Sequence, residues 1–225
     1  MRSYLLLFAL LCGVCCRSQK IEGFGLLRIG KSYAQILADL QIAPASVAVY
    51  DKNDSAFTYT QPDVPAVLQY RYSGTYSDRV VRCERAFLLR LPSYSVSGIT
   101  VADVRMIFFR DTLLSIFVSS VNDAFIEAME TKYGQPADDA YESPSACTSK
   151  RNKITTRTWS NELPAINVQQ SRSVYYNGYC DESIRSSFSF VDRYRSNQLD
   201  ECERATKAEE ERRALDKKKE KLKDF

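Results

Sequence analysis

From residue 99 to residue 136 the chain reads as strand, turn, strand, helix and stop without a gap, and no other stretch constrains the fold as much. Residues 104–109 and 113–118 are dominated by aromatic and branched side chains, which suit a pleated strand. They flank Arg110-Asp111-Thr112, a polar tripeptide short enough to be a hairpin turn. Asn122 or Asp123 then offers a side-chain acceptor to the free N–H groups of a first helical turn. Phe125, Met129 and Tyr133 recur every four residues and make one apolar stripe. Gly134 suits the left-handed position that closes a helix, and Pro136 prevents its resumption. An amphipathic helix laid on a hairpin is a folding unit and carries no chemistry of its own.

Length and compartment limit what surrounds this unit. The 225 residues, 44% of them hydrophobic, suffice for one substantial core and are few for two. Behind Arg2, residues 4–14 form an apolar run too short to span a bilayer as a helix and typical of a secretory leader. Cleavage after Ser18 leaves the small residues Cys16 and Ser18 at the −3 and −1 sites and starts the mature chain at Gln19. A lipid anchor is the rival reading, because Cys12, Cys15 and Cys16 crowd the site. They follow Leu11, Val14 and Cys15, however, where a lipid-modified cysteine usually follows a small residue, so soluble export to a periplasmic or extracellular space is preferred. Loss of Arg2 and Arg17 lowers the formal charge from +3 to about +1, which gives no electrostatic case for nucleic acid. No second long apolar segment exists, so the mature chain is expected to contain no transmembrane segment.

Ahead of the central unit, residues 21–29 alternate loosely around Gly23 and Gly25 and are expected to form one bent strand ending at Gly30. Ser32 is a good N-cap for a short helix with Tyr33, Ile36, Leu37 and Leu40 on one face, closed by Ala43-Pro44. Residues 47–50, 57–60 and 67–72 read as short meandering strands, and residues 79–91 as a longer one that Pro92 stops before a loop. Beyond Pro136, residues 137–151 hold Asp138, Asp139, Pro144 and small polar residues, as expected of an exposed connection. Residues 153–159 and 165–176 alternate Thr, Trp, Ile and Val with polar residues on either side of 161–164, which predicts a second hairpin. Residues 187–191 make a last strand with Phe188, Phe190 and Ile184 facing inward. From Leu199 acids and bases alternate without Gly or Pro. Asp200–Arg204, Glu203–Lys207 and Glu209–Arg213 are acid-first pairs at helical spacing, as in a solvated helix or one that binds a partner. The predicted organisation is a leader at 1–18, a single α+β domain at 19–198 and a charged helix at 199–225.

Histidine is absent, which excludes imidazole acid–base catalysis, His-based triads and His-ligated zinc. Outside the leader four cysteines remain, Cys83, Cys147, Cys180 and Cys202, with no CxxC pair, so two disulfides are expected in an oxidising compartment. If residues 161–164 turn the second hairpin, its paired residue numbers add to about 323–325, which brings Cys147 and Cys180 together just beyond its arms and leaves Cys83 to Cys202 by subtraction. Asp51-Lys52-Asn53-Asp54-Ser55 begins like a calcium loop, but Ala56 replaces its turn glycine and Pro62 its bidentate Glu. Asp138, Asp139 and Glu142 in one polar stretch are better read as solvated acids than as a metal site. Gly25-x4-Gly30-Lys31-Ser32 matches the phosphate-loop spacing, yet Leu26, Leu27 and Ile29 fill positions usually small and flexible, and nucleotide is scarce beyond an export signal. Fourteen tyrosines, among them Tyr70, Tyr72, Tyr76, Tyr175, Tyr176 and Tyr179, either pack strands or line an aromatic groove.

With its hairpin at 104–118, the Lys132-Tyr133-Gly134-Gln135-Pro136 element and the later strand carrying Trp159, the chain resembles small exported bacterial proteins of unassigned function. The resemblance implies fold and compartment, and brings no catalytic residues with it. Its expected architecture is α+β, a mainly antiparallel sheet with one or two helices packed on a face and a charged C-terminal helix. The expected function is that of an exported, non-enzymatic envelope or secreted protein that binds a macromolecule or assists assembly, with no cofactor. A small-ligand carrier with an aromatic groove and a carboxylate-based hydrolase are the alternatives: two carboxylates converging in a concave pocket would favour the enzyme, an enclosed aromatic cavity the carrier, and an exposed apolar patch the binding module.

Overall fold

Arg110 and Asp111 both take left-handed backbone conformations, φ 51° and 60°, which is the geometry of a two-residue turn whose twist matches that of the flanking strands. The computed structural model describes residues 20–50, 65–68, 83, 85–160 and 165–221. Around this turn β6 (Ile99–Phe109) pairs with β7 (Thr112–Ser120). The register shifts between Ile107 and Phe108, where β7 gains one residue, and the bulge changes the alternation so that Leu113 rather than Leu114 shares the face of Ile116. Leu113 enters the larger core and Leu114 a smaller cluster on the reverse side.

The fold is α+β, built on an antiparallel sheet of seven long strands in the order β5-β6-β7-β11-β10-β9-β8. The remaining long strands are β5 (Ala86–Val96), β8 (Ala137–Pro144), β9 (Arg151–Ser160), β10 (Ile166–Tyr176) and β11 (Glu182–Asp192). Two short strands, β3 (Ala48–Tyr50) and β4 (Ala66–Leu68), extend the sheet beyond β5. They pair parallel to each other, so that part of the chain is not a simple meander; residues 57–60 and 69–72 lie outside the described residues. From β7 the chain crosses the sheet as α2 (Asp123–Tyr133), reaches the far edge at β8 and returns strand by strand until β11 closes against β7.

Several boundaries differ from those expected. Residues 21–29 form a tight hairpin of two-residue strands, β1 (Gly23–Phe24) and β2 (Leu27–Arg28), rather than one bent strand. A Cβ on Gly23 would lie 2.0 Å from the Leu27 carbonyl oxygen, so only glycine lets the two strands approach this closely. Pro92 does not stop its strand: β5 runs on to Val96 and turns into β6 through Ser97 and Gly98. In the β5–β6 ladder the pairing passes from Leu91–Val104 to Ser93–Ala102 and skips Pro92 and Asp103, so the missing N–H breaks none of the ladder's strand pairs. Residues 137–144 are strand, not connection, because β9 pairs with them along their whole length. Ile184 is 51% exposed, since it lies beyond the part of the sheet that the helices cover.

α1 (Tyr33–Asp39) and α2 cover one sheet face. Ser32 caps α1 through a capping box with Gln35, and the Asn122 side chain accepts the Phe125 N–H at 2.9 Å to start α2. Their buried residues Ile36, Leu37, Phe125 and Met129 meet Met106, Ile116, Phe188 and Phe190 from the sheet. Burial of each large side chain of this kind contributes roughly 1.5–3 kcal/mol. The helix-ending motif also has a physical reading: the Trp159 indole donates to the Gly134 carbonyl at 2.8 Å, and the Tyr133 hydroxyl donates to the Gly23 carbonyl at 3.0 Å. The end of α2 is thereby fastened to β9 on one side and to the β1–β2 hairpin on the other.

The opposite face carries the first turns of α3 (Arg193–Lys221), with Leu199 packed beside Ala86, Phe109, Leu114 and Cys83. α3 starts six residues before the position expected from its charge pattern, directly off β11, because Asp192 serves as both last strand residue and cap. Its carboxylate accepts the Arg195 N–H at 3.0 Å and pairs with the Arg195 guanidinium at 2.6 Å. Beyond Glu210 the described side chains of α3 are exposed. Arg213 pairs with Glu209 at 2.9 Å as expected, whereas Arg204 donates to the Asp200 backbone carbonyl and Lys207 reaches forward to Glu211.

Candidate functional site

The four cysteines form two clamps. Cys83 joins Cys202, with Cα atoms 5.6 Å apart, and ties the start of α3 to the chain just ahead of β5. Cys147 joins Cys180, with Cα atoms 5.0 Å apart, and links the β8–β9 connection to the β10–β11 turn. Paired residues of β9 and β10 add to 327 rather than 323–325, as in Lys153 with Val174, a shift of two that preserves which face each side chain takes. The residues of the connecting turn, 161–164, lie outside the described residues.

This second clamp closes the tip of a four-stranded extension, β8 to β11, that runs past the core. At the tip Tyr141, Tyr175, Tyr179 and Ile184 are exposed, Tyr179 by 90%. Asn177 shapes the turn by accepting the N–H groups of Tyr179 and Asp181, each at 2.9 Å. Tyr176 donates its hydroxyl to Glu182 at 3.0 Å, which raises its pKa above the usual tyrosine value, and Lys150 lies 4.6 Å from its ring. The tyrosines do not line one groove. Strand alternation places Tyr141 and Tyr175 on one face and Tyr176 and Ile184 on the other. Tyr70, Tyr72 and Tyr76 fall outside the described residues.

The remaining sequence motifs resolve into structural roles. Gly25 sits in the β1–β2 turn, Lys31 pairs with Asp39, and Ser32 caps a helix of seven residues, so these groups are engaged within the segment itself. A phosphate loop opens from a parallel sheet, which this segment lacks. Asp138 pairs with Arg157 and Glu142 with Arg151, while Asp139 points to the other face, so the three acids do not converge. No group of potential metal ligands occurs among the described residues. The calcium-like stretch 51–62 lies outside them. An open hollow of about 410 Å³ is lined by Asp200, Glu203, Arg204 and Lys207, charged groups on the surface of α3 rather than an aromatic enclosure.

One group that pattern reading passed over stands out electrostatically. Asp103, inside β6 at φ 50°, accepts Arg90 Nε at 2.7 Å, Arg105 Nη2 at 2.7 Å and the Ser119 hydroxyl at 2.7 Å. Burial alone would raise its carboxyl pKa, but the hydrogen bonds from Arg105, Arg90 and Ser119 outweigh that and hold it at about 2. A carboxylate with every oxygen engaged fastens three strands together and is poorly placed to move protons. No family model, curated protein or solved structure matches this chain.

Proposed function

We propose that the chain is an exported, non-enzymatic protein of the envelope or extracellular space that binds a macromolecule through the β8–β11 extension. The observation that carries this reading is the tip itself, where a disulfide fixes two connections and exposes Tyr141, Tyr175, Tyr179 and Ile184. Large side chains held rigidly in water offer contact area at low entropic cost, which is what recognition surfaces use. The two disulfides agree with an oxidising destination, and no described helix is long and apolar enough to cross a membrane. Photo-crosslinking amino acids at Tyr141, Tyr175 and Tyr179, compared with one at the exposed Glu127 on α2, test it in the native envelope. Adducts confined to the three tip positions support the proposal. Equal labelling at Glu127, or none at any position, removes it.

A further inference from the structure

The sheet face opposite α1 and α2 carries an arrangement visible only once the register is known. Asp139 of β8, Thr156 of β9, Ser171 of β10 and Ser187 of β11 stand opposite one another in a single cross-strand row. One step beyond the Phe188–Val118 pair the row continues through Ser119 of β7, whose hydroxyl meets Asp103 of β6. A second row beside it runs Thr158, Gln169, Ser189 and Phe117. α3 packs on this face near Phe109 and Leu114, at the other end of β7 from Ser119, and no described helix overlies the two rows.

Three properties narrow what fits there. First, the Thr156, Thr158, Ser171 and Ser187 hydroxyls are half-buried and have no hydrogen-bond partner among the described residues, whereas Ser119 and Ser189 do. A hydroxyl both donates and accepts, so such a row is matched best by a ligand whose own groups do the same. Secondly, the rows carry no net charge: Arg90 and Arg105 together exceed the Asp103 carboxylate by one positive charge, Asp139 at the edge offsets it, and Arg185 stands outside the rows toward the tip. An anionic polymer finds no cluster of bases there and an uncharged one pays no desolvation of ions. Thirdly, neighbouring strands lie about 4.8 Å apart, so hydroxyls on short side chains repeat across the sheet at about that interval. Tyr141 and Tyr175 lie on the same face on the tip side of the rows, both exposed, with the Arg185 guanidinium 5.9 Å from the centre of the Tyr175 ring. A protein strand, by contrast, would seek unpaired backbone at a sheet edge, which the middle of a sheet does not provide.

We infer that this face binds an extended, uncharged polysaccharide laid across the strands, with about one sugar unit per strand. The inference rests on the binding-module reading above and names its partner class. Co-sedimentation of the mature chain with insoluble cellulose, chitin and α-glucan tests it, alongside the triple variant Thr156→Val/Ser171→Ala/Ser187→Ala and the single variant Ser171→Glu. Retention on at least one glycan is expected, weakened about tenfold or more by the triple change, which removes three hydrogen-bonding groups. Ser171→Glu is expected to abolish retention by placing an unpaired charge mid-row, and both variants should unfold at the parent midpoint because no core atom is touched. No retention on any of the three glycans, or retention unaffected by both variants, overturns the inference. A photo-crosslinker at Ser171 that captures a protein instead of glycan overturns it while leaving the binding-module reading in place. Absence of adducts at both Ser171 and the tip tyrosines removes both.

Discussion

At the scale of single residues, Asp103 shows how a strained backbone and a charge can share one position. Its φ of 50° lies in the left-handed region, which Asp and Asn tolerate better than other non-glycine residues, and that conformation aims the carboxylate between Arg90 and Arg105. Asp103→Asn keeps the backbone preference and removes the charge. Because the folded pKa is depressed to about 2 from an ordinary 3.8, the contribution is fully present above about pH 4 and is lost as pH falls toward 2. A shift of this size corresponds to about 2 kcal/mol. Urea unfolding should therefore show the variant about 2 kcal/mol less stable than the parent at pH 7, with the gap narrowing at pH 3. A gap independent of pH would assign the effect to the altered hydrogen bonding of the amide with Arg90, Arg105 and Ser119 instead of to ionisation. Gly23 is the other sensitive position: Gly23→Ala should cost on the order of 2 kcal/mol, seen as a lower denaturation midpoint, because the added methyl meets the Leu27 carbonyl.

At the scale of elements, α3 divides into a fastened base and a free arm. Leu199 and Cys202 hold the first turns, whereas a helix of 29 residues extends for about 43 Å and is exposed over its distal half. A chain ending at Arg204 should lose less than about 1 kcal/mol, since only weak surface ion pairs go with the arm. One ending at Asn197 gives up the Leu199 contact and the Cys83 bridge together, and its loss should exceed about 4 kcal/mol. Chemical denaturation of the two truncations checks the contrast. Elements whose pattern had one clear period were legible in the sequence: the β6–β7 hairpin, α1 with its Ser32 cap, and α2 with Asn122 and Gly134 all stand where alternation and capping placed them. β8 was not, because Ala137–Pro144 is an edge strand almost wholly in solvent, and a strand with no buried face leaves no alternation to read. The hydroxyl rows were hidden for a related reason. Their members are scattered from residue 103 to residue 189, and the registers of β8 to β11, together with the pairing of β11 with β7, make them neighbours. The start of α3 was misplaced because residues 193–198 lack the acid–base alternation by which the helix was recognised.

At the scale of the whole molecule, two disulfides of unequal span hold the sheet. The Cys83–Cys202 bridge separates its cysteines by 119 residues and encloses β5 through β11, whereas Cys147–Cys180 spans 33 residues within the extension. In the chain-entropy model these are worth about 5 and about 4 kcal/mol respectively. Cys147→Ser/Cys180→Ser should loosen the outer ends of β8 to β11 with a modest fall in Tm, whereas Cys83→Ser/Cys202→Ser should lower Tm further and across the molecule. Hydrogen exchange resolved by segment distinguishes the two patterns. Uniform loss of protection in both variants would mean that the extension and the core unfold as one unit.

The nesting of one bridge inside the other bears on how the chain would mature under the export proposed above, emerging from its N-terminal end. Cysteines emerge in the order 83, 147, 180, 202, and an oxidase that joins each thiol to the next arrival would link Cys83 to Cys147, which is not the native bond. Native pairing requires Cys83 to stay reduced, or to be released again, until α3 has crossed. Exchange through mixed disulfides supplies that correction. A host lacking disulfide isomerase should accordingly accumulate chain with Cys83 joined to Cys147, seen by non-reducing peptide mapping, while Cys147→Ser/Cys180→Ser, left with one possible bond, should mature without isomerase. On the export proposed above, maturation depends on proofreading of the thiols, a demand set by the position of the last helix in the sequence.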